Sequence, residues 1–424
     1  MTGPAARPSI EARLLAAGLP PLPRTAWLEI DLDRLRGNLA ALRAAVPPGV
    51  RVEPVLKADA YGHGAVPVGR ALEAAGADGF SVATFDEAVE LRDAGLRAPI
   101  LCLYAVPPQV VPEAMRRRVA VTASDETLLE RMLAAAARAW ADGPDADSRT
   151  PALEIHLEVE TGLGRAGLVP GRIPAAAAAI EAGPGARLAG IWSHLQAAGD
   201  RARTAGQQER FGEAIQRLSD GFLQVPYRHL AASAGLLAGA VPAYDGVRIG
   251  LATYGIVPDD VGPAEASRPP ARDLRPILSL HARPVRVADL PAGTGISYGP
   301  TFTTARPSRI ATLPLGYGDG FPRSLSNRAE ALVRGRRVRL VGNVSMDAVM
   351  VDVTDVPGPP VTVDDEFVLL GEQDGEAIPV EELARLRTTN TWETVTAMAR
   401  RLSRVYHAGS EPVGIRTLAT GRQR

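Results

Sequence analysis

Cysteine is almost absent: Cys102 is the only one in 424 residues. That excludes an intramolecular disulfide framework and any metal centre built on clustered thiolates. A surplus of one charge is missing too, since 47 basic and 48 acidic residues leave a formal net charge of −1 with the two signs interspersed. Such balance argues against a nucleic acid or a membrane surface as partner and for a small-molecule substrate. No apolar run is long enough to span a membrane. The first two dozen residues are rich in Ala and Pro, but Glu11, Arg13 and Arg24 interrupt them and no signal-peptide core follows. A cytoplasmic location is therefore expected. Histidine is scarce, with six residues and no i, i+4 pair, so no metal site is expected.

What is present is alternation. Between about residues 50 and 255, short apolar runs recur at Val52–Lys57, Gly79–Ala83, Pro99–Tyr104, Val119–Thr122, Leu153–Val159, Ala189–His194, Arg228–Ala232 and Val247–Leu251. Amphipathic stretches such as Ala65–Ala75, Phe85–Ala94, Glu126–Trp140 and Gln207–Leu218 lie between them. Eight strands alternating with helices over this length predict an α/β chain with a parallel (β/α)8, or TIM, barrel. An open doubly wound sheet is the competing arrangement, but no Gly-rich dinucleotide fingerprint follows the first strand. The polar, Asp-rich segment Ala141–Thr150 reads as a surface loop.

Beyond about residue 270 the period changes to two, in Ile277–Val287, Arg309–Leu315, Ala331–Val341 and Ala348–Val353, and helix returns only in Pro379–Tyr406. We expect an N-terminal extension over residues 1–25, the barrel over 26–265, and a smaller, mainly β C-terminal domain over 266–424 closed by a helix. Residues 26–44 are a strand and helix entering the barrel, part of which can pack with the β domain.

A barrel predicts a site at the C-terminal ends of its strands, and unusual polar residues fall there. Lys57 ends the first strand, His194 the sixth; Ser233 follows the seventh, and Arg248 lies on the eighth. A buried ammonium must be paired, opened to a cavity or neutralised, and a lysine so held can form a Schiff base with a carbonyl cofactor. Along Glu154-Ile155-His156-Leu157-Glu158-Val159-Glu160 the ionisable residues alternate with aliphatic ones that must face the helices. The ionisable face then points into the barrel, with Arg165 just beyond to neutralise it. Taken singly, each histidine is more often a hydrogen-bonded core residue, and Arg248 a structural ion-pair residue. Their joint placement at strand ends shifts the balance toward a site.

The run Val55-Leu56-Lys57-Ala58-Asp59-Ala60-Tyr61-Gly62-His63-Gly64 resembles the cofactor-lysine motif of the alanine racemases, fold-type III enzymes that use pyridoxal phosphate. The resemblance extends from Ala26 to Tyr406. It includes Arg248-Ile249-Gly250-Leu251-Ala252-Thr253-Tyr254-Gly255, Gly295-Ile296-Ser297-Tyr298-Gly299, Leu315-Gly316-Tyr317-Gly318-Asp319-Gly320 and Val341-Gly342-Asn343-Val344-Ser345-Met346-Asp347. It implies a homodimer whose β domain completes the partner's active site. Lys57 would carry the cofactor, while Tyr61, Ser233 and the backbone around Gly250 and Leu251 would cradle its phosphate. Arg248 would face the pyridine nitrogen, flanked by His194 and His229. Tyr298, from the partner subunit, would be the second base opposite Lys57. Arg165 and the Met346 backbone would hold the substrate carboxylate, and Tyr317 and Arg323 would line the entrance corridor.

Four positions depart from the family pattern. Glu158 stands where many relatives carry a lysine, often carbamylated, and would supply directly the carboxylate that carbamylation creates, orienting Arg165. Glu160 replaces an aspartate, Ala232 an asparagine, and Trp392 a phosphate-contacting tyrosine at the entrance. The activity implied is interconversion of L- and D-alanine, supplying D-alanine for peptidoglycan. The alternatives on this scaffold are a racemase of serine or another small amino acid, a decarboxylase, and a non-catalytic pyridoxal-phosphate carrier. The last resembles the barrel alone and lacks the β domain bearing Tyr298.

Overall fold

The computed structural model describes residues 8–142, 151–224 and 227–419. Most of the expected loop Ala141–Thr150 therefore lies outside the described residues. The chain forms two units. One contains the described residues up to Arg34, Tyr61–Gly64 and those from Pro276 onward; the other contains Leu35–Ala60 and Ala65–Arg275.

The second unit is the barrel. Its eight parallel strands are Arg51–Pro54, Phe80–Val82, Ile100–Cys102, Val119–Ala123, Leu153–Glu158, Ala186–Trp192, Arg228–Ala232 and Gly246–Ile249, one for each apolar run in the sequence. The first pairs with the eighth, Val52 opposite Val247. A bridge between Val55 and Ser81 joins the first to the second, so the sheet returns on itself. Buried Asn38 ties the unit's incoming chain to its outgoing one: its amide donates to Thr253 O at 3.2 Å and Arg275 O at 2.9 Å, and its Oδ1 accepts from Arg275 N–H at 2.9 Å.

Local chemistry sets the helix limits. Asp125 caps Glu126–Ala141 by accepting from Leu128 N–H at 2.9 Å, and Leu129, Met132 and Ala136 form the buried stripe. Arg201–Asp220 begins six residues before the apolar pattern does. Asp200 starts it by capping Arg203 N–H at 3.0 Å, while the first turns, Arg201-Ala202-Arg203, offer no apolar period to read.

The barrel centre is unusually polar, because two glycines make room for large side chains. A Cβ on Gly190 would lie 2.7 Å from His156 Nδ1, and one on Gly246 would lie 1.8 Å from the Tyr227 hydroxyl. Of the alternating fifth strand, His156 and Glu158 are buried as expected. Glu154, at the strand's start, instead pairs with Arg187 in a half-exposed position.

The other unit is mainly β. Its larger sheet has eight strands, with Ala26–Asp31 lying between antiparallel Leu278–Ala282 and parallel Ser403–Ala408. A second sheet joins Arg286–Leu290, Ser308–Leu313 and Val349–Asp352. The N-terminal extension contributes a helix, Ile10–Ala16, whose Ile10 and Leu14 pack on Trp27 and Val405. Buried Arg13 pairs with Glu29 at 2.7 Å on the same face.

Two expected continuous stretches are interrupted. Ile277–Val287 divides between the two sheets at Arg283-Pro284, where proline supplies no ladder N–H. Ala331–Val341 folds back as a hairpin at Arg334 and Gly335, both at positive φ. The expected closing helix over Pro379–Tyr406 is also corrected. Val380–Arg387 ends at left-handed Thr388, Asn390 caps a short helix Thr391–Thr396, and the chain finishes in strands Ser403–Ala408 and Glu411–Arg416.

Candidate active site

Lys57 is the only lysine in the chain; every other basic residue is arginine. It stands three residues beyond the first barrel strand, past the bridge residue Val55 and Leu56. The next residues, Ala58, Asp59 and Ala60, adopt left-handed helical angles with φ of 53°, 57° and 54°. For L-residues this conformation costs roughly 1–2 kcal/mol each, so surrounding bonds must hold it. Ala60 N–H donates to Leu56 O at 2.8 Å, and Asp59 Oδ1 accepts from Ala65 N–H at 2.9 Å. Burial, then Arg165 and Arg248, draws the Lys57 ammonium below the usual lysine range, while Glu87 opposes them. The neutral amine needed for attack on a carbonyl is thereby favoured.

Arg248 is the hub of the barrel's interior. Its Nη1 donates to His229 Nδ1 at 2.8 Å and His229 O at 3.0 Å, its Nη2 donates to Ser193 O at 2.7 Å, and His194 Nδ1 lies 3.4 Å from Nη2. Its guanidinium lies over the Trp192 ring, 4.7 Å from the centroid. Arginine can only donate, so His229 must accept at Nδ1 and carry its proton on Nε2. That proton then points to His156 Nδ1, 3.0 Å away, which must also accept. The relay has a direction, away from Arg248 into the barrel, and it requires neutral imidazoles. Burial beside Arg248 supplies this. His194 is lowered to about 3, as is His156, where Arg51 adds to the effect, and His229 falls well below the ordinary histidine value. Arg248 itself is lowered to about 10 by burial, with Tyr227, Glu53 and Glu158 opposing. It remains a cation at neutral pH.

Around this hub, Ser233 Oγ accepts from Ala252 N–H at 3.3 Å and begins the helix Ser233–Leu237. Gly250 and Leu251 lead into the tight turn Leu251–Tyr254. A hydroxyl and several main-chain N–H groups therefore gather at the ends of the seventh and eighth strands, a donor set suited to phosphate. Glu158 accepts from Arg165 Nη2 at 3.4 Å, a long contact that agrees with a side chain shorter than a carbamylated lysine. Burial raises the Glu158 carboxyl while Arg165 pulls it down. The Tyr104 ring lies beside the Arg165 guanidinium, 5.5 Å from centroid to carbon.

The remaining expected residues belong to the β unit, Tyr61 among them. There, Asn343 organises two of the motifs: its amide donates to Tyr298 O at 2.8 Å and Gly299 O at 3.0 Å, while Ser297 Oγ donates to Asn343 O at 2.6 Å. A third motif joins them through Tyr317 N–H to Ser345 O and Gly318 N–H to Met346 O, both 3.0 Å. Since the Met346 carbonyl is an acceptor already engaged, only its N–H could serve a carboxylate. Buried Asp319 accepts from Arg24 at 2.7 Å and from Arg401 at 2.7 and 2.9 Å, pinning the Tyr317 loop. Tyr298 is 79% exposed, and Met346 and Tyr317 about half exposed, at 52% and 46%. Arg323 is exposed at the start of the turn Arg323–Leu325, and Trp392 is half-buried in Thr391–Thr396.

Sequence reasoning did not anticipate Asn343, Asp319 and Trp192 as supports, nor His156 as a relay member. Only His156 carried a usable signal, its inward place in the fifth strand's alternation.

The model of the alanine racemase N-terminal domain matches residues 30–258, and that of the alanine racemase C-terminal domain matches 277–406. An alanine racemase of Syntrophobacter fumaroxidans is 39% identical over 385 residues, covering 90% of this chain and 98% of the relative. One from Symbiobacterium thermophilum is 40% identical over 387 residues, covering 90% and 97%. Among solved structures, the alanine racemase of Bacillus anthracis with bound L-Ala-P superposes with a TM-score of 0.84 at 30% identity, covering 95% of this chain and all of that one. That of Streptomyces coelicolor gives 0.80 at 34%, covering 90% and 98%.

Proposed function

This chain belongs to the alanine racemase family, and from that membership we propose how its own residues divide the work. The enzyme is a pyridoxal-phosphate-dependent isomerase that interconverts L- and D-alanine, the source of D-alanine for peptidoglycan. One observation carries the assignment: the chain keeps a single lysine, at a barrel strand end, where burial favours its neutral form. Arginine can replace lysine as a charge, but not as an amine that must attack a carbonyl and exchange a proton.

Lys57 would hold the cofactor covalently. Ser233, Tyr61 and the main chain at Gly250 and Leu251 would hold its phosphate, and Arg248 would serve the ring nitrogen. When bound, the cofactor is the electron sink that lets the substrate α-carbon lose its proton. Arg248 is too weak an acid to protonate that nitrogen, and its neutral histidine neighbours leave the charge where it is. Arg165, oriented by Glu158, and the Met346 N–H hold the substrate carboxylate. Lys57 Nζ takes or returns the α-proton on one face, and the Tyr298 hydroxyl does so on the other, so inversion needs no turning of the substrate.

A general base needs surroundings that tune it, and a side chain as exposed as Tyr298 gains them from a covering surface. We therefore infer a homodimer in which Tyr298 of the partner subunit faces Lys57. Tyr317, Arg323 and Trp392 then line the entrance. No helix among the described residues is long and apolar enough to cross a membrane, and we place the enzyme in the cytoplasm.

Incubation with pyridoxal phosphate and L-alanine in D2O tests the reading. D-alanine carrying deuterium at the α-carbon is the expected product; neither inversion nor exchange would reject it. The half-buried Trp392 indole supports a second reading, in which serine or another small amino acid is preferred, and a chiral assay over several amino acids decides between them.

Glu158→Gln should raise KM for alanine about two- to fivefold with little change in kcat, since the pair spans a long 3.4 Å contact to a partly exposed Arg165 and a weak ion pair contributes about 0.2–1 kcal/mol. An unchanged KM would remove Glu158 from the orientation of Arg165.

A further inference from the structure

Glu87 lies outside every motif that carries the family resemblance, yet its carboxylate makes three backbone hydrogen bonds. Oε1 accepts from Ala58 N–H at 2.6 Å; Oε2 accepts from Ala83 N–H at 2.8 Å and from Thr84 N–H at 3.2 Å. Ala83 and Thr84 lead into the helix Phe85–Asp93, with Glu87 as its third residue. A glutamate here usually satisfies only the start of its own helix. This one also reaches the end of the neighbouring strand. The peptide it grasps belongs to Ala58, the first left-handed residue after Lys57, and a charged acceptor makes such a bond stronger than a neutral one.

The turn needs this support. Four successive non-glycine residues, Ala58 to Tyr61, have positive φ, a conformation that L-residues avoid, and the direction in which the Lys57 side chain leaves the strand depends on the peptide that follows it. Resting on the reading of Lys57 as the cofactor lysine, we propose that Glu87 is its positioning residue: by clamping Ala58 to the helix start, it locks the left-handed turn and aims the amine. Glu87 acts through the Ala58 peptide.

The full-length apoprotein tests this with two probes, in the wild type, Glu87→Gln and Glu87→Ala. Pyridoxamine phosphate has no aldehyde, so its affinity reports the cofactor cradle alone. Pyridoxal phosphate condenses with the Lys57 amine, a C=N bond forming and water leaving. Absorbance follows that rate, and borohydride reduction with peptide mass locates the bond. Condensation should slow on the order of 10²-fold in Glu87→Ala and about tenfold in Glu87→Gln, which keeps one acceptor oxygen for Ala58, with pyridoxamine phosphate affinity within about twofold of wild type. A purely structural role would weaken both probes together; that result, or an unchanged condensation rate, overturns the proposal. If Glu87→Ala fails to fold, the ratio of the two probes in Glu87→Gln decides. A wild type that binds pyridoxal phosphate without condensing at Lys57 would overturn the underlying assignment, and this one with it.

Discussion

Lys57→Ala is expected to leave a folded protein that still binds pyridoxamine phosphate, holds pyridoxal phosphate without a covalent bond, and racemises alanine at least about 10⁴-fold more slowly. The size of the loss follows from two roles falling on one nitrogen. The amine tethers the cofactor, and the same atom exchanges the α-proton on one face. No second lysine exists to take over either role. Lys57→Arg should be as inactive as Lys57→Ala, because a guanidinium keeps the charge but is neither nucleophile nor base near neutral pH. Chiral chromatography of the product, with borohydride reduction to reveal any covalent adduct, measures both effects. Retention of more than about one per cent of wild-type turnover by either variant would contradict a general-base and covalent role for this residue.

Tyr298→Phe should lower racemisation by about 10²–10⁴-fold in both directions. The ring stays and only the hydroxyl goes, so binding should be largely kept. Deuterium from solvent should still enter the enantiomer whose proton faces Lys57, while inversion stops. Mixing subunits adds a sharper test. In a heterodimer of Lys57→Ala and Tyr298→Phe chains, a shared-site arrangement rebuilds one intact site and one doubly defective one. Random reassortment of two inactive proteins should then restore about a quarter of wild-type activity. No recovery after demonstrated subunit exchange would mean that both bases come from one chain.

The barrel was legible because its signal is repetitive: each buried strand is a short apolar run, and helical periods separate them. The β unit was read less well, for reasons visible at particular residues. Pro284 interrupts a period-2 run and sends the chain to another sheet, and Arg334-Gly335 reverses the chain inside a run that alternation alone continues. Between Pro379 and Tyr406 the apolar residues mimic helical spacing, although Thr388 stops one helix and Val405-Tyr406 lie in a strand. Among site residues, Lys57, Arg248, His194 and Ser233 could be picked out because each is polar at or near the end of a buried strand, whereas His229, near the start of its strand, came only from the family resemblance. Glu87 and Asp319 could not. Their work is to bond main-chain N–H groups or arginines far along the chain, and an isolated acid carries no sign of that in sequence.

A chain with one ε-amine has a simple surface toward amine-directed reagents. Succinimidyl esters, cyanate and reducing sugars modify most proteins at many scattered lysines; here, beyond any α-amino group, they have only Lys57. Cofactor attached there would shield it. The fraction of the Lys57 peptide that carries label thus becomes a count of sites lacking cofactor, obtained without substrate. Lysine-based immobilisation, ordinarily harmless, would tether this enzyme through its own active site.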